Sequence, residues 1–187
     1  MKTRVTLAVA IGLIGFGTSL VHGQSPTGTT GTSPAALASA SLVDTQGRGI
    51  GQAYLQQTPQ GVLLKLELNK ATPGIHALHV HDTGRCDRPS FESTGGHFNP
   101  GNREHGFLNP RGPHAGDLPN LAVPSSTELS VEYFLADVTI DPGPRSLVDG
   151  NGSAIVIHTG KDDYSTDPAG AAGARLACGA IVRAHAG

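Results

Sequence analysis

Gly61-Val62-Leu63-Leu64-Lys65-Leu66-Glu67-Leu68-Asn69 sets Val62, Leu64, Leu66 and Leu68 against Leu63, Lys65, Glu67 and Asn69 in strict alternation. Successive side chains of an extended chain point to opposite faces, so this run predicts a strand with one apolar face. Outward from it, Ile50 to Gln57 forms a companion run across the turn Thr58-Pro59-Gln60-Gly61. Ala71-Thr72-Pro73-Gly74 is another turn, and Ile75 to His81 predicts a further strand. Leu129 to Ile140, Ser153 to His158 and Leu176 to Val182 complete the set. Residues 82–126 and Thr159 to Ala174 are two long polar loops rich in Gly, Pro, Asn and Asp. Loops of this length in a compact domain are uncommon unless they carry function. No helix and no internal repeat is apparent. Short strands with turn signals predict an all-β antiparallel sandwich or barrel.

Composition agrees with that fold class. The 187 residues include 26 Gly, 13 Pro and no Trp, and only 15% are charged, against an average of about 25%. The core must therefore rest on Val, Ile, Leu and Ala. There is no basic run, which argues against a nucleic-acid partner. At the N-terminus Lys2 and Arg4 precede an apolar stretch, Val5 to Leu20, and then Val21-His22-Gly23. This predicts a signal peptide over 1–23 and export to the periplasm or medium, with no stable membrane insertion after cleavage. The stretch is interrupted by Gly12, Gly15 and Gly17 and is short for a membrane span. Residues 24–36 read as a flexible Ser/Thr/Gly/Pro linker and 37–187 as the folded domain. Without residues 1–23 the net charge falls from −2 to −4, because Lys2 and Arg4 leave with no acid. Cys86 and Cys178 could be buried thiols, metal ligands or a disulfide; export favours closure of the pair.

The histidines carry the functional signal. Six of the nine lie between His76 and His114. His79-Val80-His81 puts two imidazoles on one face of a strand, roughly 6.5 Å apart along it, close enough to converge on one metal ion. Alone, such a pair is more often a surface or packing feature. Within the loop, however, His97, His105, His114 and Asp117 occupy 21 residues, where packing offers no reason for them. Three nitrogens and a carboxylate suit a tetrahedral zinc site; the bland alternative is a His-rich loop that binds metal loosely. His158 ends the apolar strand Ala154-Ile155-Val156-Ile157. Imidazoles in tetragonal array suit copper, but His79, His81 and His158 need one more nitrogen.

Taken together, six segments resemble the copper/zinc superoxide dismutases over about residues 37–187. They are Gly74-Ile75-His76-Ala77-Leu78-His79-Val80-His81, Gly96-His97-Phe98-Asn99-Pro100, His105-Gly106, His114-Ala115-Gly116-Asp117-Leu118, Ala154-Ile155-Val156-Ile157-His158 and Gly173-Ala174-Arg175-Leu176-Ala177-Cys178-Gly179. The resemblance implies an eight-stranded antiparallel Greek-key barrel or sandwich with two long functional loops. It implies one copper on His79, His81, His97 and His158, and one zinc on His97, His105, His114 and Asp117, with His97 bridging the two. It further implies Asp162 as the carboxylate that holds a histidine of each metal, Arg175 as the residue that guides the anion, and a Cys86–Cys178 disulfide. His76 matches a structural histidine, and its strand parity opposes that of His79 and His81. His185 matches no role and reads as solvated tail.

Three departures stand out. Pro119 occupies a position where many members carry Gly, and the spacing from His81 to Cys86 to His97 resembles bacterial members. The loop from Thr159 to Ala174 has only Lys161 as a base against Asp162, Asp163 and Asp167, which argues against strong lysine steering. The expected activity is dismutation of superoxide to dioxygen and hydrogen peroxide, with His97 and Arg175 as the catalytic residues. The alternative is an exported copper-binding or metal-buffering module with little turnover. A buffer has no need of Arg175 or Asp162. The sequence leaves monomer and homodimer equally open.

Overall fold

The computed structural model describes residues 38–184; the expected signal peptide, the whole of the expected linker and His185 lie outside the described residues. Among the described residues ten strands follow one another: β1 Ala38–Asp44, β2 Gly49–Thr58, β3 Gly61–Leu68, β4 Gly74–His76, β5 Leu78–His81, β6 Leu121–Val123, β7 Leu129–Leu135, β8 Ala154–His158, β9 Arg175–Ala180 and β10 Val182–Arg183. All named pairings are antiparallel. The main sheet curls in the order β5-β8-β9-β1-β2-β3-β7, with β10 beside β1, and β4 pairs only with β6. The all-β class read from the sequence is the observed one.

The alternation in β3 sets the phase. Val62, Leu64, Leu66 and Leu68 are buried, and they meet Leu55 and Ala53 of β2, Leu42, Ala40 and Ala38 of β1, and Leu135 of β7 in one core. The β2–β3 hairpin is in register from Gly51↔Leu68 to Thr58↔Gly61, so Pro59 and Gln60 form its tip. β5 and β8 differ from β3 because they are buried on both faces. Leu78, Val80, Ile155 and Ile157 enter the main core. Alternation sends His79, His81 and His158 to the other face, where the long loops cover them.

Several boundaries depart from the sequence reading. Ile75 to His81 is two strands. Ala77 breaks the run: its N–H donates to Gly160 O at 2.7 Å and its carbonyl accepts from His158 N at 2.9 Å. The chain thus passes from β6's partner to β8's. The strand expected over Leu129 to Ile140 ends at Leu135, and 136–140 turns through a bridge between Thr139 and Ser146. The long loop 82–126 contains β6 and a short 3-10 turn, Glu92–Thr94. β1 is an unforeseen strand; its inward Ala38 and Ala40 have little strand preference and are held by their neighbours.

Candidate metal centre

Both halves of the site are assembled on β5. Val80 N–H donates to Gly116 O and Val80 C=O accepts from Phe98 N, each at 2.8 Å. Gly116 N in turn donates to Phe98 O at 2.9 Å. These bonds draw two loop segments against one strand edge and set His97 opposite His81 and Asp117 opposite His79. Phe98 anchors the arrangement by entering the main core. All seven residues, His79, His81, His97, His105, His114, Asp117 and His158, are buried.

Hydrogen bonds fix which nitrogen of each ring is free. His81 Nδ1 donates to Gly95 O at 3.0 Å and His158 Nδ1 to Gly173 O at 3.2 Å. Their Nε2 atoms therefore carry lone pairs, and these face one another at 3.4 Å. His79 Nε2 donates to Asp162 Oδ2 at 2.9 Å, which leaves His79 Nδ1 buried without a partner, as is His97 Nε2. The ligand atoms of His79, His81, His97 and His158 lie within 4.8 Å of one another. Four unprotonated nitrogens this close together could hold a cation, and an all-imidazole set suits copper.

On the other side of His97, Asp117 gathers three rings. Its Oδ1 lies 2.9 Å from His97 Nδ1 and 3.3 Å from His114 Nδ1, and its Oδ2 lies 3.1 Å from His105 Nδ1. His97 Nδ1 and His114 Nδ1 are 3.3 Å apart. Ligands at about 2.0–2.1 Å in a tetrahedron are separated by about 3.3 Å, so these spacings fit zinc. His105 Nδ1 sits beside Asp117 yet outside hydrogen-bonding directions, as two ligands of one ion do. His79 also falls within 4.8 Å of His97, His105 and Asp117. His114 Nδ1 lies 3.3 Å from both His97 Nδ1 and Asp117 Oδ1, so it stands beside this group as well.

Burial keeps three of these rings neutral. It pushes His81 down to about 2, His158 to about 3 and His97 to about 4. Burial would lower His105 too, but the Asp117 and Asp162 carboxylates on either side outweigh it and raise the ring to about 9. Burial alone would raise Asp117 and Asp162; hydrogen bonds from the surrounding histidines reverse this and hold both far below the usual carboxylate range. Asp162 reaches a ring on each side of His97. Asp162 Oδ2 accepts from His79 and Oδ1 accepts from His105 Nε2 at 3.0 Å. Such an outer carboxylate fixes ring orientation and tautomer.

Arg175 lines the mouth of a cleft of about 360 Å³ together with His81, His97, His158 and Gly173. Its Nη1 donates to Phe91 O at 2.6 Å and Thr94 Oγ1 at 2.9 Å, and its Nη2 donates to Gly95 O at 2.7 Å. Cys86 and Cys178 form a disulfide, Cα to Cα 5.8 Å, which ties the same loop to β9. Asp163 and Asp167 do not face the cleft unopposed. Asp163 accepts from Ser165 N and Thr166 N, and Asp167 from His105 N. His76 turns away from the cluster; its ring nitrogens contact His158 O and Thr72 O at 2.8 and 3.0 Å.

Three supporting residues escape the sequence reading. Asn120 clasps the main chain of Asp162: Nδ2 donates to Asp162 O and Oδ1 accepts from Asp162 N, both at 2.8 Å. Gly170, at φ +65°, passes so near that a Cβ would collide with Asp162 Oδ1 and stand 2.7 Å from His105 Nε2. Thr94 is fully buried beside Arg175 and His81. The pairing of Asn120 with Asp162 spans 42 residues, and no local motif announces it.

Comparison with known proteins places this geometry. The family described as copper/zinc superoxide dismutase (SODC) matches residues 50–181. "Superoxide dismutase [Cu-Zn] 1" of Aquifex aeolicus is 47% identical over 144 residues, covering 76% of this chain and 85% of the relative. Among solved structures, a double mutant of a SOD-like protein from Bacillus subtilis aligns with TM-score 0.75 and 41% identity, over 78% of this chain and 98% of that one. Cu/Zn superoxide dismutase from Brucella abortus aligns with TM-score 0.61 and 28% identity, over 78% and 99%.

Proposed function

The chain belongs to the copper/zinc superoxide dismutase family, and we propose that it works through His79, His81, His97 and His158 as copper ligands and His97, His105, His114 and Asp117 as zinc ligands. The reaction converts two superoxide ions and two protons to dioxygen and hydrogen peroxide. Bound copper supplies the one-electron exchange, and bound zinc supplies fixed positive charge without redox chemistry. The observation that supports this reading most is the position of His97, whose two nitrogens face two different donor sets.

His97 Nε2, buried at the cleft floor, is the atom that holds a proton between the two halves of the reaction and passes it to the second superoxide. Asp162 keeps the Nε2–H of His79 and of His105 turned toward itself, so that each ring presents Nδ1 inward. Arg175 binds the incoming anion; its guanidinium is always charged. Among the described residues three of its five N–H groups are held by loop 91–95, and the other two have no hydrogen-bond partner. The protein is exported, with 1–23 removed as a signal peptide, 24–36 as a spacer and 37–187 as the catalytic domain. The Cys86–Cys178 disulfide supports an oxidising compartment.

Arg175→Ala tests the anion role. The mature charge of −4 gives no net attraction for superoxide, so capture depends on local positive potential, which salt screens beyond about 8 Å at physiological ionic strength. Arg175→Ala should lower the rate constant about tenfold or more with copper still bound. Arg175→Lys should recover part of it, since charge returns without the planar fork. Rising salt should slow the native protein more than Arg175→Ala. Equal rates for native and Arg175→Ala would reduce Arg175 to a clasp for loop 91–95.

A further inference from the structure

Arg175 and His81 share their anchors. Gly95 O accepts from Arg175 Nη2 at 2.7 Å and from His81 Nδ1 at 3.0 Å. Beside it, Thr94 Oγ1 accepts from Arg175 Nη1 at 2.9 Å and lies 3.2 Å from His81 Nδ1. The same hydroxyl donates its proton to Phe91 O at 3.0 Å, the carbonyl that also accepts from Thr94 N in the 3-10 turn. A hydroxyl has one hydrogen and two lone pairs, so every capacity of Thr94 is used. Phe91 O takes the proton, and both lone pairs point to the N–H groups of Arg175 and His81.

We propose that Thr94 is a positioning residue, whose buried hydroxyl sets the tilt of the Arg175 guanidinium over the cleft and thereby the affinity of the site for small anions. This rests on the copper and Arg175 assignments made above. Thr94 is wholly enclosed, so water does not replace a lost hydroxyl. Without it the Arg175 Nη1 hydrogen aimed at Oγ1 has no acceptor, while Nη1–Phe91 and Nη2–Gly95 remain. The guanidinium keeps its place but gains freedom to rotate toward a new partner. His81 keeps Gly95 O, so its Nε2 still points to the metal. The hydroxyl therefore acts on the anion and not on copper retention.

Thr94→Val keeps the β-branched shape and removes the hydroxyl; Thr94→Ser keeps the hydroxyl. The measurement is titration of copper- and zinc-loaded protein with azide, a small linear anion, followed in the copper absorption and electron paramagnetic resonance spectra. Thr94→Val should weaken azide binding about 3- to 10-fold, the effect of one lost charge-assisted hydrogen bond on orientation. Thr94→Ser should stay within about twofold of native, and copper content should be equal in all three. In an Arg175→Ala background Thr94→Val should have no further effect, since a residue acting through Arg175 has nothing left to position. Thr94→Ala reads the same loss should Thr94→Val fail to fold. Unchanged azide affinity in the hydroxyl-free variants, beside a normal native titration, would overturn the role of Thr94 alone, as would an equal loss in Thr94→Ser. A native protein with no azide-sensitive copper signal would overturn the copper assignment and this role together.

Discussion

His97→Ala should lower dismutation by ~100-fold or more and release zinc in the same step, because one ring serves both donor sets. Loss of a shared ligand removes more than an outer partner does; removing such a partner typically costs 10–100-fold in metal affinity. Asp162→Asn is the informative contrast. The substitution leaves all seven proposed ligands in place but swaps one carboxylate oxygen, which accepts from His79 or His105, for an amide nitrogen that cannot accept. Metal affinity should fall by ~10–100-fold while the bound stoichiometry at saturation stays intact. Competition with chelators of graded strength, read separately for copper and zinc, measures both. Unchanged affinity in the two variants would rule out a bridged pair of sites.

Breaking the disulfide should produce the largest loss of stability. Cys86 and Cys178 are 92 residues apart, and the chain-entropy model assigns about 4–5 kcal/mol to closing a loop of that length. Around Cys178 the bond sits in a small satellite core with Phe91, Ala154 and Val156, against which Cys86 packs. Cys86→Ser therefore also loosens the loop that Arg175 grips through Phe91, Thr94 and Gly95. For a domain of this size about 4 kcal/mol corresponds to a fall of roughly 10 °C in the midpoint of thermal unfolding. The comparison should be made on metal-free protein, so that metal binding does not mask the difference. Oxidised native protein and Cys86→Ser melting within about 2 °C of each other would show that the bond does not restrain the unfolded chain as the model requires.

How much of this was legible in the sequence depends on the range of the interactions. The alternation in β3 and in His79-Val80-His81 is local, and it correctly sets which face is apolar and which carries the imidazoles. The loop histidines were recognisable because exposed polar loops give no packing reason to concentrate His97, His105 and His114. The proposed fourth copper nitrogen, on His97, is legible only through family resemblance, since nothing local directs His97 toward His79. The break at Ala77 was hidden because an apolar run does not record where a strand changes partner. β1 was hidden because Ala38 and Ala40 are held as strand by pairing with β2 and, at Ala38, with β10, and not by their own preference. The supporting layer was hidden for a similar reason. Arg175 meets Thr94 across 81 positions and Asn120 meets Asp162 across 42, and only the folded chain brings them together.

The most direct test of the two-metal account is the metal content of the mature protein from copper- and zinc-replete preparation, measured alongside its dismutation rate. The account predicts about one copper and one zinc per chain, with activity lost on removal of copper and restored by copper alone. It also predicts that His79 and His81, fully enclosed in the structure, resist histidine-modifying reagents. Zinc alone at full occupancy, with both histidines open to modification and no dismutation, would contradict it.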